Sequence, residues 1–305
     1  MKLANRVRLT ALLLTILIDS AISTGTANAQ AMRTPTLDRV REYGAIFVGH
    51  REASSPFSYF NGDEAIGYSV DLCHKIVDAV RVHLNDPSIK EVLVPVSSNG
   101  RITALVSGMI DLECGSTTNT SGRKQSIDFS VTTYITGVKA MVRVDSGINQ
   151  WSDLDGKVMI TTAGTISERT AKTALAKEKV TMRTITGRSH TDSFDQVVKK
   201  TADAYINDDI LISTQIANSP DGEKLKLLPQ NFAFEPYAIG FRKDDPEFKK
   251  LVNDTLIGLM KSGEIKEIYK KWFMSPIPPY DTSLKVPMSS LLEEAIEAPS
   301  DIGIN

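Results

Sequence analysis

Residues 91–119 read EVLVPVSSNGRITALVSGMIDLECGSTTN, and this stretch decides the fold class. Glu91 to Val96 is an apolar run of strand length, bounded by Ser97-Ser98-Asn99-Gly100. Asn99 to Ser107 then carries a helical pattern closed by Gly108, and Ile110 to Cys114 is a further apolar run. Strand, helix and strand in that order are the repeating unit of a parallel sheet, which makes the class α/β. In such sheets ligands gather outside the carboxyl ends of the strands. Those ends carry Ser98 and Arg101 here, then Gly115-Ser116-Thr117-Thr118-Asn119.

The alternation continues in both directions. Leu37 to Tyr43 reads as a short helix stopped by Gly44, and Ala45 to Gly49 as the first strand, running into His50-Arg51-Glu52. Ser69 is placed to cap a helix on which Val70, Cys73, Ile76, Val77, Val80 and Leu84 recur at helical spacing. Asn85-Asp86-Pro87 ends it.

After the extended stretch Thr132 to Val144 comes a second series. Strand Val158 to Thr161 is followed by Gly164-Thr165 and the helix Ser167 to Lys177. Strand Val180 to Thr186, His190 and the helix Asp192 to Lys200 come next, then strand Ala202 to Ile206 ending in Asn207-Asp208-Asp209. Phe232 to Arg242 is extended again, and Pro246 to Phe273 reads as two helices broken near Ser262-Gly263. Two extended crossings around an inner series predict a discontinuous first domain, residues 30–136 plus 233–305, with residues 137–232 inserted as a second. A cleft between two domains is a favoured ligand site. Leu291, Leu292 and Ala295 suggest a short terminal helix packed on the first domain.

Arg51, Arg101 and Arg123 stand at or just beyond strand ends, among Ser98, Ser116 and Thr118. A guanidinium grips a carboxylate through two parallel hydrogen bonds, which an ammonium cannot do. Three of them with hydroxyls between make a socket for more than one carboxylate. His50 alternates to the other face of its strand from Arg51 and is read as structural.

Lys2, Arg6 and Arg8 precede the apolar run Leu9 to Ile18, and small and polar residues follow to Ala27-Asn28-Ala29. This is the pattern of an export signal cleaved after Ala29, so residues 1–29 are expected to be a leader and the rest to work outside the cytoplasm. No other segment approaches a membrane span. The chain has 35 basic and 37 acidic residues and a formal charge of −2, which argues against a nucleic-acid partner. In an oxidising compartment Cys73 and Cys114 fit either a disulfide or two buried thiols. No phosphate loop, nucleophile elbow, metal-ligand spacing or pair of carboxylates suited to acid–base work stands out, so neither enzyme nor cofactor is expected. Glu52 and Glu113 are the only acid–base candidates near the cleft.

Several motifs together resemble the polar amino acid solute-binding proteins of ABC transporters, family 3. They are Gly49-His50-Arg51-Glu52, Gly67-Tyr68-Ser69-Val70-Asp71, Glu113 to Asn119, Asp153-Leu154-Asp155-Gly156-Lys157, Gly164-Thr165, Asp208 and Trp272-Phe273. The likeness runs from about Leu37 to about Pro279. Arg51, Arg101 and His190 together match the members that take acidic amino acids rather than glutamine or basic ones. The resemblance implies a type II periplasmic-binding-protein fold with two hinge strands closing two domains over the ligand. It implies that Arg123, helped by Ser116 and Thr118, grips an α-carboxylate, with Thr165 at the same end, and that Asp208 takes an α-ammonium. Arg51, Ser98, Arg101 and His190 would surround a side-chain carboxylate. Where the family pattern has a second threonine after Gly-Thr, this chain has Ile166. A hydroxyl is lost there, although backbone N–H groups at that helix start remain as donors.

The implied partners are L-glutamate or L-aspartate and an inner-membrane permease and ATPase, with the protein a periplasmic monomer. Such a ligand carries net charge −1, and three guanidiniums against the single carboxylate of Asp208 slightly exceed what it needs. That excess favours acids over amides. Two alternatives use the same fold: an exported dehydratase resembling cyclohexadienyl dehydratase, and a sensor that docks on a membrane receptor.

Overall fold

The computed structural model describes residues 34–305. The expected leader, residues 1–29, and its cleavage point after Ala29 lie outside the described residues.

Pro35 precedes α1 (Thr36–Tyr43), which Gly44 closes at a left-handed φ of 61°. Then follow β1 (Ala45–His50), β2 (Ala53–Ser54), β3 (Ser58–Phe60), β4 (Ala65–Ile66), α2 (Tyr68–Leu84), β5 (Lys90–Pro95), α3 (Arg101–Val106), β6 (Leu112–Glu113) and β7 (Ile127–Phe129). The long β8 (Tyr134–Arg143) leads to β9 (Val158–Thr162), α4 (Ser167–Lys177), β10 (Arg183–Gly187), α5 (His190–Val198), β11 (Ala204–Asp208), α6 (Asp209–Asn218) and β12 (Leu225–Leu227). The chain returns through β13 (Ala233–Tyr237) and β14 (Gly240–Arg242) to α7 (Pro246–Ser262), α8 (Glu264–Tyr269), β15 (Pro276–Ile277), β16 (Thr282–Ser283) and α9 (Ser290–Glu297).

Two sheets organise the molecule. The first runs β5-β1-β6-β14-β7, the second β10-β9-β11-β8-β12 with β13 also on β8. The parallel pairing expected of the βα units holds, with antiparallel strands added beside it. β5, β1 and β6 are parallel, but β14 lies antiparallel between β6 and β7, and β8 antiparallel beside β11. Each antiparallel strand enters from the far end because the chain crosses between lobes twice. β8 and β13 make those crossings and pair with each other, Tyr134 opposite Tyr237 and Glu235 opposite Thr136.

An aromatic cluster ties both crossings to the first lobe. Phe57 packs edge-on against Tyr134 and Tyr237 at centroid distances of 4.8 and 5.0 Å, and Phe273 stacks on Tyr134 at 5.0 Å. Tyr269 and Phe273 therefore serve the core, as helix packing predicts. The second lobe buries apolar side chains on both faces of its sheet: Val138, Ala140 and Met159 on one, Met141, Ile160 and Phe194 on the other.

Local departures have local causes. Ser69 does not cap α2; Gly67 holds that position and the Ser69 hydroxyl donates to the carbonyl of Gly115 at 2.8 Å. His190 is the first residue of α5 rather than a loop residue before a helix, because the Ser189 hydroxyl caps by accepting from the Asp192 N–H. In α9 Leu292 and Ile296 are buried against the first lobe, whereas Leu291 is exposed. The Sγ atoms of Cys73 and Cys114 are bonded, joining α2 to the residue that follows β6.

Candidate functional site

The first lobe supplies three guanidiniums. Arg51 leaves the end of β1 with its N–H on the Ser58 hydroxyl; Nε donates to the Val96 carbonyl at 3.0 Å and Nη2 to Ser98 Oγ at 2.5 Å. Arg101 opens α3 and donates from Nη1 to the carbonyl of Ser116 at 3.2 Å. Arg123 begins a single helical turn after the Ser116–Thr118 loop and donates from Nη1 to the Thr118 carbonyl at 2.8 Å. Gly115 leaves room for this packing, since a Cβ there would run into the Glu113 carboxylate and the Arg51 stem.

The second lobe supplies hydroxyls, an imidazole and a carboxylate. Thr165, Ile166 and Ser167 lie at the N-terminus of α4, with Ile166 in the capping position. The Thr165 hydroxyl donates to the Thr162 carbonyl at 2.7 Å. Asp208 ends β11; its side chain does not cap α6 but accepts from the Tyr237 hydroxyl at 2.5 Å. His190 Nδ1 sits 3.0 Å from the Tyr205 hydroxyl, 3.2 Å from Thr162 Oγ1 and 3.2 Å from Asn207 Nδ2. The Ser167 hydroxyl on Asn207 Oδ1 orients that amide so that its nitrogen faces the ring. With Nδ1 accepting from that amide, a neutral imidazole would carry its proton on Nε2.

Seven of the nine expected ligand residues line one narrow cavity of about 10 Å³: Arg101, Ser116, Thr118, Arg123, Thr165, His190 and Asp208. Ile166, Ser167 and Glu235 complete its wall. Arg51 and Ser98 stand outside that wall, hydrogen-bonded to each other. The two lobes meet around the cavity, where Arg123 Nη2 donates to the Gly164 carbonyl at 3.0 Å. A Cβ on Gly164, which has φ +78°, would strike the backbone of Ser98 and Asn99 across the gap.

The electrostatics of this corner are strongly perturbed. Burial, reinforced by Arg101, brings Arg51 down to about 10 and Arg123 down to about 9. Burial pushes the His190 imidazole well below its usual range, and the positive field of Arg51 and Arg101 adds to this. Burial and then the neighbouring Glu235 push the Asp208 carboxyl well above its ordinary value. Burial raises Glu235 as well. Arg51 Nη1, Arg101 Nε and Asp208 Oδ1 are buried and make no hydrogen bond within the described chain. Buried polar atoms of this kind need partners, and here Arg101 Nε and Asp208 Oδ1 belong to residues that line one cavity.

Glu235 was not singled out from the sequence, nor was Ser167. Glu235 is the one acidic residue in the crossing Phe232 to Arg242, which is the signal that could have found it. The charge inventory of three guanidiniums and one carboxylate is corrected accordingly. Glu235 and Glu113 are both 1% exposed, and both act on the arginines electrostatically. Among the described residues no group of His, Cys, Asp or Glu is arranged to hold a metal ion.

Relatives share this architecture. The family model for bacterial extracellular solute-binding proteins, family 3, matches residues 46–275. An L-glutamate/L-aspartate-binding protein of Pseudomonas aeruginosa is 40% identical over 272 residues, 88% of this chain and 89% of that protein. A glutamate/aspartate import solute-binding protein of Salmonella typhimurium is 35% identical over 297 residues, 96% of this chain and 98% of that protein. The crystal structure of an ancestral amino acid-binding protein, a precursor of cyclohexadienyl dehydratase, superposes with a TM-score of 0.67 at 28% identity, covering 78% of this chain and 99% of that one. The fold is thus of the type II binding-protein kind, and these relatives are binding proteins rather than enzymes. The chain belongs to family 3 of the bacterial extracellular solute-binding proteins.

Proposed function

We propose that the protein captures L-glutamate or L-aspartate in the cleft between its lobes and delivers it to an ABC permease and its ATPase in the inner membrane. The observation that carries this is the grouping of Arg101, Arg123 and Asp208 around one cavity, with an unpartnered buried donor on Arg101, and with Arg51 outside the wall. The relatives' names point to the same ligands. In this reading the domains are residues 30–136 plus 233–305 and residues 137–232, and the leader is cleaved after Ala29 to release a periplasmic monomer.

Arg123 grips the α-carboxylate, with Thr165, Ser116 and the N–H groups at the start of α4 beside it. Asp208 takes the α-ammonium. The Thr118 hydroxyl has one proton and donates it to Glu235 at 2.8 Å, so it meets the ligand as an acceptor and belongs with Asp208. Arg51, Ser98, Arg101 and neutral His190 face the side-chain carboxylate, His190 donating from Nε2. Three guanidiniums against Asp208, Glu113 and Glu235 would leave the site neutral. Burial raises both Asp208 and Glu235, and the ligand's ammonium supplies beside Asp208 the positive partner that the buried carboxyl lacks without it.

Isothermal titration of protein unfolded and refolded free of ligand tests this. L-glutamate and L-aspartate are expected to bind, and L-glutamine and L-arginine not. Binding of glutamine or arginine alone would overturn it.

A further inference from the structure

Glu235 lies where the lobes meet yet belongs to neither strand-end loop that builds the pocket. It sits on β13, opposite Thr136 of β8, on one of the two crossings between lobes. Its Oε1 accepts from the hydroxyl of Thr170, on α4 of the second lobe, at 3.1 Å. Its Oε2 accepts from the hydroxyl of Thr118, which follows β6 of the first lobe, at 2.8 Å. One oxygen therefore holds the second lobe while the other holds the first. The carboxylate is 1% exposed, and its two oxygens are satisfied by these two threonines.

Around it stand Arg123 and Arg169, whose charges favour its ionised form, and Asp208 and Tyr237, whose ionisation it opposes. Arg123 makes the other polar contact between lobes in this corner, to Gly164. Thr118 stays beside Glu235 through the backbone pairing of Thr117, Thr118 and Asn119 with Pro236, Tyr237 and Ala238, so an open cleft would draw Thr170 away from it. A buried carboxylate that loses a donor bears a desolvation cost, so the contact is worth most when the lobes are closed.

We infer that Glu235 is a positioning residue that latches the closed lobes, by clamping Thr118 of the first lobe to Thr170 of the second and holding the Thr118 hydroxyl as an acceptor for the ligand. The inference rests on the ligand reading above. It assigns Glu235 to retention of the ligand rather than to its selection. Closure is a shift between two states, and a contact made only in the closed state slows opening without changing encounter.

The test is stopped-flow binding of L-glutamate to the refolded, ligand-free protein and to Glu235→Ala, Thr170→Val and the double variant. Loss of a hydrogen bond to a charged group predicts a dissociation rate about ten- to a hundredfold faster in Glu235→Ala, with the association rate unchanged within about twofold. Thr170→Val should raise the dissociation rate less, and the double variant should match Glu235→Ala, since both act through one clamp. An unchanged dissociation rate in Glu235→Ala, or additive effects in the double variant, would overturn the latch. So would an affinity loss matched by an equal fall in the melting temperature of the ligand-free protein, which marks a merely structural role. If the wild type binds no acidic amino acid, the ligand reading fails instead. The latch is then read from donor and acceptor dyes on the two lobes, where ligand-free Glu235→Ala must show a larger open fraction than the wild type. Identical distributions would overturn it.

Discussion

Arg123 Nη2 donates to the carbonyl oxygen of Gly164 at 3.0 Å, and the bond joins the loop after β6 to the loop before α4. The same guanidinium faces the cavity, so the group assigned to the ligand's α-carboxylate also bridges the lobes. Arg123→Ala should therefore abolish binding of every amino acid, acid or amide. Removing one partner of a buried charged pair costs about 2–5 kcal/mol, or roughly tens to thousands of times in affinity. Titration of the variant checks this, and unchanged affinity would remove Arg123 from the site.

Gly164 gives a second prediction, because its conformation and its surroundings both exclude a side chain. Its φ of +78° favours glycine, and a Cβ would press on the Ser98 carbonyl and the Asn99 Cα of the opposite lobe. The clash exists only where the lobes touch. Gly164→Ala should fold with a modestly lower melting temperature but bind at least about tenfold more weakly, since the closed state pays the steric cost. Binding at wild-type strength would show that closure leaves more room here.

Arg101 separates acids from amides. It lines the cavity while being 2% exposed, and its Nε has no partner in the described chain. Glutamine in place of glutamate would leave that donor poorly matched. Arg101→Ala should weaken acid binding and shrink the ratio of glutamate to glutamine affinity by about tenfold or more. Competition titrations with the two ligands measure the ratio, and a preserved ratio would move the discrimination to Arg51 and His190.

How far the sequence carried the reading depends on what each residue does locally. α4 runs over Ser167–Lys177 as its periodicity predicts, because helix spacing is a property of adjacent residues. Arg101, Arg123 and Asp208 were visible because strand ends concentrate binding groups in α/β sheets. Strand direction was not visible: β14 and β8 run antiparallel only because the chain crosses between lobes, which is set by tertiary contacts. Glu235 was missed for a related reason. Its partners Thr118 and Thr170 lie 117 and 65 residues away, and no local pattern marks a residue that works through such contacts.

The imidazole of His190 predicts a pH dependence of stability. Folding depresses its pKa well below the ordinary value, through burial first and the fields of Arg51 and Arg101 second. The unfolded chain protonates near pH 6.5 while the folded state stays neutral. Between the folded value and about 6.5 the unfolded state thus binds more protons, and stability contributed at this position falls as the pH is lowered. Asp208 and Glu235 act in the opposite sense from their unfolded values near pH 4 upward, since their folded values are raised. The two effects separate in a comparison. The melting-temperature difference between wild type and His190→Gln, both ligand-free, should be constant above about pH 7 and shift against the wild type as pH falls from 6.5 toward 5. A difference that stays flat across that range would mean His190 is protonated in the fold.

The bond between Cys73 and Cys114 fixes the loop that carries Ser116 and Thr118. It anchors the residue before Gly115 to α2, whose own Ser69 hydroxyl holds the Gly115 carbonyl. The cysteines are 41 residues apart in the sequence, and closing a loop of that length restricts the unfolded chain by about 4 kcal/mol in the chain-entropy account. The Cys73→Ala, Cys114→Ala double variant should melt well below the oxidised protein, and the wild type in excess dithiothreitol should melt with it. Because Gly115 and Ser116 adjoin the bond directly, affinity for glutamate should fall as well, even at temperatures where the variant is fully folded. Thermal melts and titrations at the same temperature separate the two effects. Equal affinity with a lowered melting temperature would restrict the disulfide to stability, and an unchanged melting temperature in reductant would show that the bond contributes little in either role.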